Sequence, residues 1–359
     1  MRRLAVCLGL LALPAAAGTI KLFTGQLLTG EIELSDSLSI RTEAGPTVKV
    51  DPLNLQRATW HEPPDGFIPG IVLRTGARMK ANSATNISAP EVGWIVYRPV
   101  TAKEANAVPR GKTGALLPGG DFFEGAVRSA DQNTAKIVSP IFGPRTFDAR
   151  RGDILAAILA EVVPVASGYE VHTTAGEVLL GDQVTFNSTG VTLITAGKSQ
   201  QISIPELAEV RAGPGRATSL ATTRMARMEV ARGLPAGRGI SSNKLGDGSA
   251  LQVGPEQFEH GLASHSGCAA IWEVPANFTE LVGRFGVAPA TAPNVRLTFS
   301  VSADGRSVFR SQPMTSADSP QTLRASLGNA RTVTLRVETQ FPSGAMGIGV
   351  WIEPTLLRR

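Results

Sequence analysis

The sequence predicts an all-β protein in which tandem small β-barrel-like repeats are followed by a β-sandwich. Three observations carry that expectation. The chain holds 38 glycines and 24 prolines in 359 residues but only 5% aromatics, a composition of many turns between short elements. A glycine pair with four residues between recurs through the first two hundred positions. The last third reads as seven short apolar-polar alternating runs.

The chain opens with "MRRLAVCLGLLALPAAAGT", in which Arg2 and Arg3 precede an apolar run and then the small residues Ala15, Ala16 and Ala17. That order predicts a signal peptide over residues 1–17, cleavage after Ala17, and a secreted or periplasmic protein. No later stretch has the length of apolar residues that a membrane-spanning helix needs. Loss of Arg2 and Arg3 lowers the formal charge from +5 to +3. The basic residues are scattered, so a nucleic-acid partner is not expected. Cys268 then stands without a partner, and packing rather than disulfides must hold the fold.

The glycine pairs are "GQLLTG" at Gly25, "GDFFEG" at Gly120 and "GEVLLG" at Gly176, with "GARMKA" at Gly76 as a degraded copy. Their starts lie 51, 44 and 56 residues apart, the size of a unit of three to five strands. Each unit reads as a strand, a glycine turn, a second strand, a hairpin closed at a residue such as Gly45 or Gly197, and a proline-led turn with an apolar ending. The expected units span 18–63, 64–110 (degraded), 111–163 and 164–211. Within them Asp, Glu and His show no catalytic or metal spacing. His61 and His172 read as surface or packing residues, and Trp60, Trp94 and Tyr97 as core.

Residues 212–234 read as a linker, and "ATSLATTRMARMEVARG" within it is compatible with a short amphipathic helix between Pro and Gly. The domain from 235 to 359 then carries the runs "AAIWEV", "LVGRFGV", "VRLTFSVS", "SVFRSQ", "TLRASL", "TVTLRVET" and "GIGVWIEP". Asp304-Gly305 between two of them is a hairpin signal.

The order "FEHGLASHSGCAAIWEVP", "FTELVGRFGVAP", "VRLTFSVSADGRSVFRSQPM", "LGNARTVTLRVET" and "GVWIEPTLL" resembles the NPCBM family of carbohydrate-binding modules. Phe258, Gly261, His265 and Ser266 fit that family's opening block; Phe285, Gly286 and Val287 fit its central strand end; Asp304-Gly305 fits its hairpin and Trp351 its closing tryptophan. The resemblance implies a jelly-roll, galactose-binding-like sandwich. It implies an exported, non-catalytic carbohydrate-binding protein whose partner is a glycan. The alternative is an exported structural or adhesion scaffold whose sandwich binds another exported protein. The family's usual acid is missing at Ala288 and its Asp-His pair at Gly347 and Ile348, where carboxylates would suit a sugar hydroxyl or a calcium ion. Calcium therefore has no support, and no cofactor is expected.

"FEHGLASHSGCAAIWEV" gathers His260, His265 and Cys268, yet these three lack the fourth ligand that a structural zinc site requires. A catalytic thiol would need a base and an orienting group beside it. His265 reads equally as a sugar contact and as a structural hydrogen bonder. Trp272 reads as core or as a stacking face. The expected carbohydrate site joins His265, Arg284 and Asp304 at one end of the sandwich, with Trp272 as the stacking surface. Imidazole, guanidinium and carboxylate together supply the donors and acceptors that sugar hydroxyls demand.

Overall fold

A computed structural model describes residues 17–42, 45–80, 90–230, 239–339 and 347–358. The signal peptide expectation falls almost wholly outside the described residues. The described chain is nearly all strand, with one five-residue helix, Ala102–Asn106, capped by Thr101.

The four glycine signals all mark the same turn. The N–H groups of Gly25, Gly76, Gly120 and Gly176 donate to the carbonyls of Leu22, Leu73, Leu117 and Thr173 at 2.9, 2.9, 3.1 and 2.9 Å. Each of these glycines has φ between +81° and +93°, the region where a side chain is strained. The second glycine of a pair has a different reason. A Cβ on Gly30 would lie 2.1 Å from the Arg41 carbonyl oxygen and one on Gly125 2.7 Å from that of Val138, so only glycine lets the hairpin strand cross so closely. Beyond the hairpins, short 3-10 turns at Pro52–Asn54, Ala149–Arg151 and Ile204–Glu206 lead into the closing strand of their repeat. Asp51 and Asp148 cap two of these turns through backbone N–H bonds of 2.9 and 3.0 Å.

The repeats do not follow sequence order in space: along the sheet they run third, second, fourth, first. The closing strand of the first repeat, Leu55–Thr59, pairs antiparallel with that of the fourth, Leu207–Ala212, with Ala58 opposite Val210. The closing strand of the third, Ala156–Ile158, pairs in the same way with the second repeat's Val92–Val96. Each pair has a local two-fold relation, and each shares a core. Ile20, Leu38, Leu55, Val171, Phe186 and Leu207 pack together in the first, and Ile71, Ile95, Ala115, Ile137 and Phe147 in the second. The register Arg78 to Val178 joins the two pairs into one sheet of fourteen strands. Trp60 and Trp94 are core, as expected, while His61 is exposed.

All seven runs expected in the C-terminal domain are strands, from Ala269–Glu273 to Ile348–Leu357. Apart from the hairpin Leu297–Ala303 to Arg306–Arg310, successive strands alternate between two sheets: Gly261–His265, Glu280–Val287, Gln321–Ser326 and Ile348–Leu357 in one, and Ala269–Glu273, Leu297–Ala303, Arg306–Arg310 and Thr332–Thr339 in the other. That alternation is the jelly-roll sandwich. Trp272, Phe285, Phe299 and Trp351 fill the space between the sheets, with Phe299 edge-on to Trp351 at 5.1 Å.

The expected helical linker is corrected. Ala217–Ser219 is a strand paired to Thr355–Leu357, and Arg227–Glu229 is an edge strand paired to Ala269–Ile271. Leu220 and Ala221 are buried in the sandwich core. The sandwich therefore begins near Ala217 rather than at residue 235. Few apolar residues are needed on an edge strand that buries one face, which is why this segment lacks a strand signature.

Candidate functional site

The structure does not gather the four expected site residues. Trp272 has no exposed surface, and its Nε1 donates to the Thr223 carbonyl at 3.2 Å. A sugar has no face of this ring to stack on, so the stacking role is corrected to core. His265 ends the strand Gly261–His265 and is half-buried, opposite Ile348. Asp304 sits in the hairpin turn at φ +47°, and its carboxylate accepts from the backbone N–H groups of Arg331 and Thr332 and from the Thr332 hydroxyl at 2.8 to 3.2 Å. Those bonds, the Thr332 N–H first, hold its carboxyl below the usual carboxylate range. Its acceptors serve the hairpin rather than a ligand.

His265 and Asp304 also lie at opposite ends of the sandwich. Ala269–Glu273 starts beside His265 and ends with Glu273 opposite Thr332, the residue that Asp304 holds. A five-residue strand separates the two by roughly 16 Å. Arg284 lies on neither end. It projects from the middle of Glu280–Val287 on the outer sheet face, where its Nη1 and Nη2 donate to the two carboxylate oxygens of Glu256 at 3.0 and 3.2 Å.

The two positions at which the family resemblance implies acids are closely packed. Ala288 is fully buried, and a side chain on Gly347 would come within 2.7 Å of Leu297 Cδ2. Carboxylates at these positions would be buried without water. Cys268 is buried and free, and among the described residues no group of three His, Cys, Asp or Glu is placed to hold a metal ion. No helix among them is long and apolar enough to cross a membrane.

Arg284 instead borders a cleft of about 760 Å³ between the sandwich and the first and fourth repeats. One wall is built by Lys21, Leu27, Arg57 and Arg211, the other by Glu256, Phe258, His260, Arg284 and Glu353. Lys21 forms an ion pair with Glu353 across the cleft. Glu353 reaches it because the closing strand is bulged there: Glu353 has φ +48°, and the register to Glu280–Val287 shifts between Val282 and Arg284. Phe23 packs on Val282 and Leu357, and Arg216 donates to the Tyr169 hydroxyl and, at 2.6 Å, to the Leu53 carbonyl. The cleft thus has two walls fixed to each other by buried contacts.

Sequence reading found Arg284 but missed the repeat side of this cleft. Behind that wall, Glu170, His172, Glu209, Thr59 and Arg211 meet on one sheet face although they are spread over 150 positions. Glu209 accepts from the Thr59 hydroxyl at 3.2 Å, and His172 Nε2 stands 3.6 Å from Glu170 Oε2. Burial pushes the Glu170 carboxyl up, but His172 and Arg211 outweigh it and hold the group at about 2. The strand-to-strand register that unites these residues has no local sequence signal. The equivalent placement of "LQRAT" and "LAEVRA" at the ends of two repeats was the available hint.

A two-sheet jelly roll with an enclosed aromatic core and a polar cleft on its outer face defines the fold class of the C-terminal domain. Residues 220–357 match the model of the NPCBM/NEW2 domain family, and that start agrees with the structural start near Ala217. Among solved structures, the chain is similar to a CBM51 module from Clostridium perfringens GH95 in complex with methyl-galactose, at 16% identity and a TM-score of 0.35, covering 39% of this chain and 99% of that one. It is also similar to the tandem CBM51 modules of Sp3GH98, a family 98 glycoside hydrolase from Streptococcus pneumoniae, at 12% identity and a TM-score of 0.36, covering 54% and 73%. TmCBM61 in complex with beta-1,4-galactotriose matches at 14% identity and a TM-score of 0.25, covering 39% and 94%. No curated protein matches the chain.

Proposed function

We propose that this chain is an exported, non-catalytic carbohydrate-binding protein that recognises a glycan through its C-terminal sandwich and the surfaces joined to it. The observation that carries this reading is the NPCBM/NEW2 match over residues 220–357, laid on a two-sheet sandwich with its own buried core. Several charged side chains around the cleft are tied into ion pairs, such as Arg284 with Glu256 and Arg211 with Glu170, an arrangement that presents fixed donors and acceptors rather than a poised acid and base. Export rests on the leader sequence. A glycan array probed with the chain from Gly18 onward tests the reading: reproducible binding to at least one glycan class supports it, and a blank array overturns it.

A second reading, a scaffold that binds another exported protein, is favoured by one observation. Ile141 and Phe142 are 81% and 74% exposed at the tip of the hairpin joining Thr134–Ser139 to Gly143–Asp148. A blank glycan array together with self-association or protein capture that Phe142→Ser abolishes would favour that reading.

A further inference from the structure

The repeat wall of the cleft carries an unusual row of charge. Lys21, Arg57 and Arg211 stand opposite one another in register on three neighbouring strands, and Leu27 continues the row beside Lys21. Like charges directly opposite on a sheet face destabilise it unless each is compensated. Two of the three are. Lys21 pairs with Glu353, and Arg211 places Nε and Nη2 on Glu170 Oε2 at 2.8 and 2.5 Å.

Arg57 is compensated only loosely. Its ion pair with the buried Glu209 spans 3.9 Å from Nε, outside hydrogen-bond range, and the same Glu209 oxygen accepts from Thr59. The Arg57 side chain is 52% exposed, lines the cleft, and makes no side-chain hydrogen bond among the described residues. Its guanidinium N–H groups, loosely paired and without a hydrogen bond, therefore open into a walled space next to a second guanidinium. Across from them the ring of Phe258 lies half-buried, 5.6 Å from the Arg284 guanidinium, and Leu27 is 61% exposed. Glu259, which has no ion pair among the described residues, belongs to the sandwich wall.

We propose that this cleft binds an acidic saccharide, a sugar chain bearing a uronic-acid carboxylate, with the carboxylate on Arg57 and Arg211 and the pyranose ring against Leu27 and Phe258. The proposal rests on the carbohydrate-binding reading above and assigns that function to a site shared by repeats and sandwich. A planar guanidinium fork matches a carboxylate in two parallel hydrogen bonds, which a neutral hydroxyl cannot reproduce. Pyranose C–H faces pack on apolar and aromatic surface while the hydroxyls meet polar groups such as His260 and the Arg284 and Glu256 pair. The cleft volume falls within the range of small-molecule sites and admits a short oligosaccharide. The bulge that turns Glu353 toward the cleft pairs that acid with Lys21.

The test is calorimetry on the chain from Gly18 with oligomers of galacturonic, glucuronic, mannuronic and guluronic acid, each beside its methyl-esterified, uncharged form. At least one oligouronate should bind about tenfold or more tighter than its ester. Its affinity should fall with added salt, and Arg57→Gln should weaken it about tenfold with an unchanged Tm. Arg57→Lys, which keeps the charge without the fork, should fall between and serves if the glutamine variant folds poorly. Equal binding of acids and esters, or full affinity in both Arg57 variants, overturns this site while leaving the carbohydrate-binding reading in place. Binding confined to neutral glycans on the array does the same. No binding to any saccharide overturns both.

Discussion

The indole Nε1 of Trp272 donates to the Thr223 carbonyl at 3.2 Å, tying the centre of the sandwich core to a segment that reads in sequence as a linker. Leu220 and Ala221, just before it, are buried in the same core. A fragment starting at Pro235 would lose this bond, two strand pairings and the Leu220 side chain. Loss of a buried leucine alone costs about 2–5 kcal/mol. The fragment from Gly213 should give a cooperative thermal transition, and the one from Pro235 should aggregate or melt at least 10 °C lower by circular dichroism. Equal melting of the two would refute the structural boundary.

Trp272 should matter for stability and not for recognition. Its ring is fully buried, so Trp272→Ala should cost about 3–5 kcal/mol in urea unfolding, whereas Trp272→Phe should keep glycan binding at reduced stability. A folded Trp272→Phe protein that has lost binding would restore the stacking role.

Asp304 should act in the same structural way, with a defined pH dependence. Its native carboxyl lies below the ordinary range because the backbone N–H groups of Thr332 and Arg331 bond the ionised form. A depressed native value means that the stabilisation is present above the unfolded-state pKa and disappears as pH falls through the native one. Asp304→Asn keeps a residue that tolerates positive φ and removes the charge. It should lower Tm at pH 7 and match the parent protein below the native pKa, with glycan affinity unchanged at pH 7. A loss of affinity without a loss of Tm would return Asp304 to the binding site.

Glu170 gives a second titration with the same sign. Held at about 2 against an ordinary 4.5, it stabilises the paired first and fourth repeats above pH 4.5 and ceases to do so as the pH approaches 2. Urea midpoints of the parent and Glu170→Gln should therefore differ at pH 6 and converge between pH 4.5 and 2. A constant difference across that window would show that the effect is packing rather than charge.

How much of this was legible depends on how local the cause is. The glycine turns were readable because a positive φ at Gly25 or Gly176 is a property of four or five residues. The seven sandwich runs were readable because alternation marks a half-buried strand. The pairing of Leu55–Thr59 with Leu207–Ala212 was not, since strand partners 150 positions apart are selected by the shared core and leave no local mark. The Asp304-Gly305 signal gave the hairpin correctly but not the engagement of the carboxylate, which depends on Arg331 and Thr332 arriving from another strand. His265, Arg284 and Asp304 each stand in recognisable blocks, yet block order says nothing of which end or face of the sandwich a residue occupies. Arg284 became part of a cleft only because the first repeat packs over it, so closely that a Cβ on Gly25 would meet its Cδ at 2.4 Å.

That packing leads to Arg216. Its guanidinium is buried, lies 4.8 Å from the Tyr169 ring, donates to the Tyr169 hydroxyl and to the Leu53 carbonyl at 2.6 Å, and sits just ahead of the strand Ala217–Ser219 that joins the sandwich. One side chain thus holds the first repeat, the fourth repeat and the entry to the sandwich. Arg216→Ala removes two hydrogen bonds from a charged donor, one to the Tyr169 hydroxyl, which still donates to the Pro52 carbonyl, and one to the Leu53 carbonyl, each worth about 1.5–3 kcal/mol. Both bodies retain their own cores, so neither should unfold at 25 °C. The expected outcome is a loss of coupling: one calorimetric transition splitting into two, faster hydrogen exchange over residues 212–219, and weaker binding of any ligand that needs both walls of the cleft. Arg216→Lys keeps the charge but not the two-way fork and should show the same split at smaller amplitude. A single unshifted transition in Arg216→Ala would mean that Phe23, Val282 and Leu357, together with the Lys21 and Glu353 pair, suffice to fix the walls.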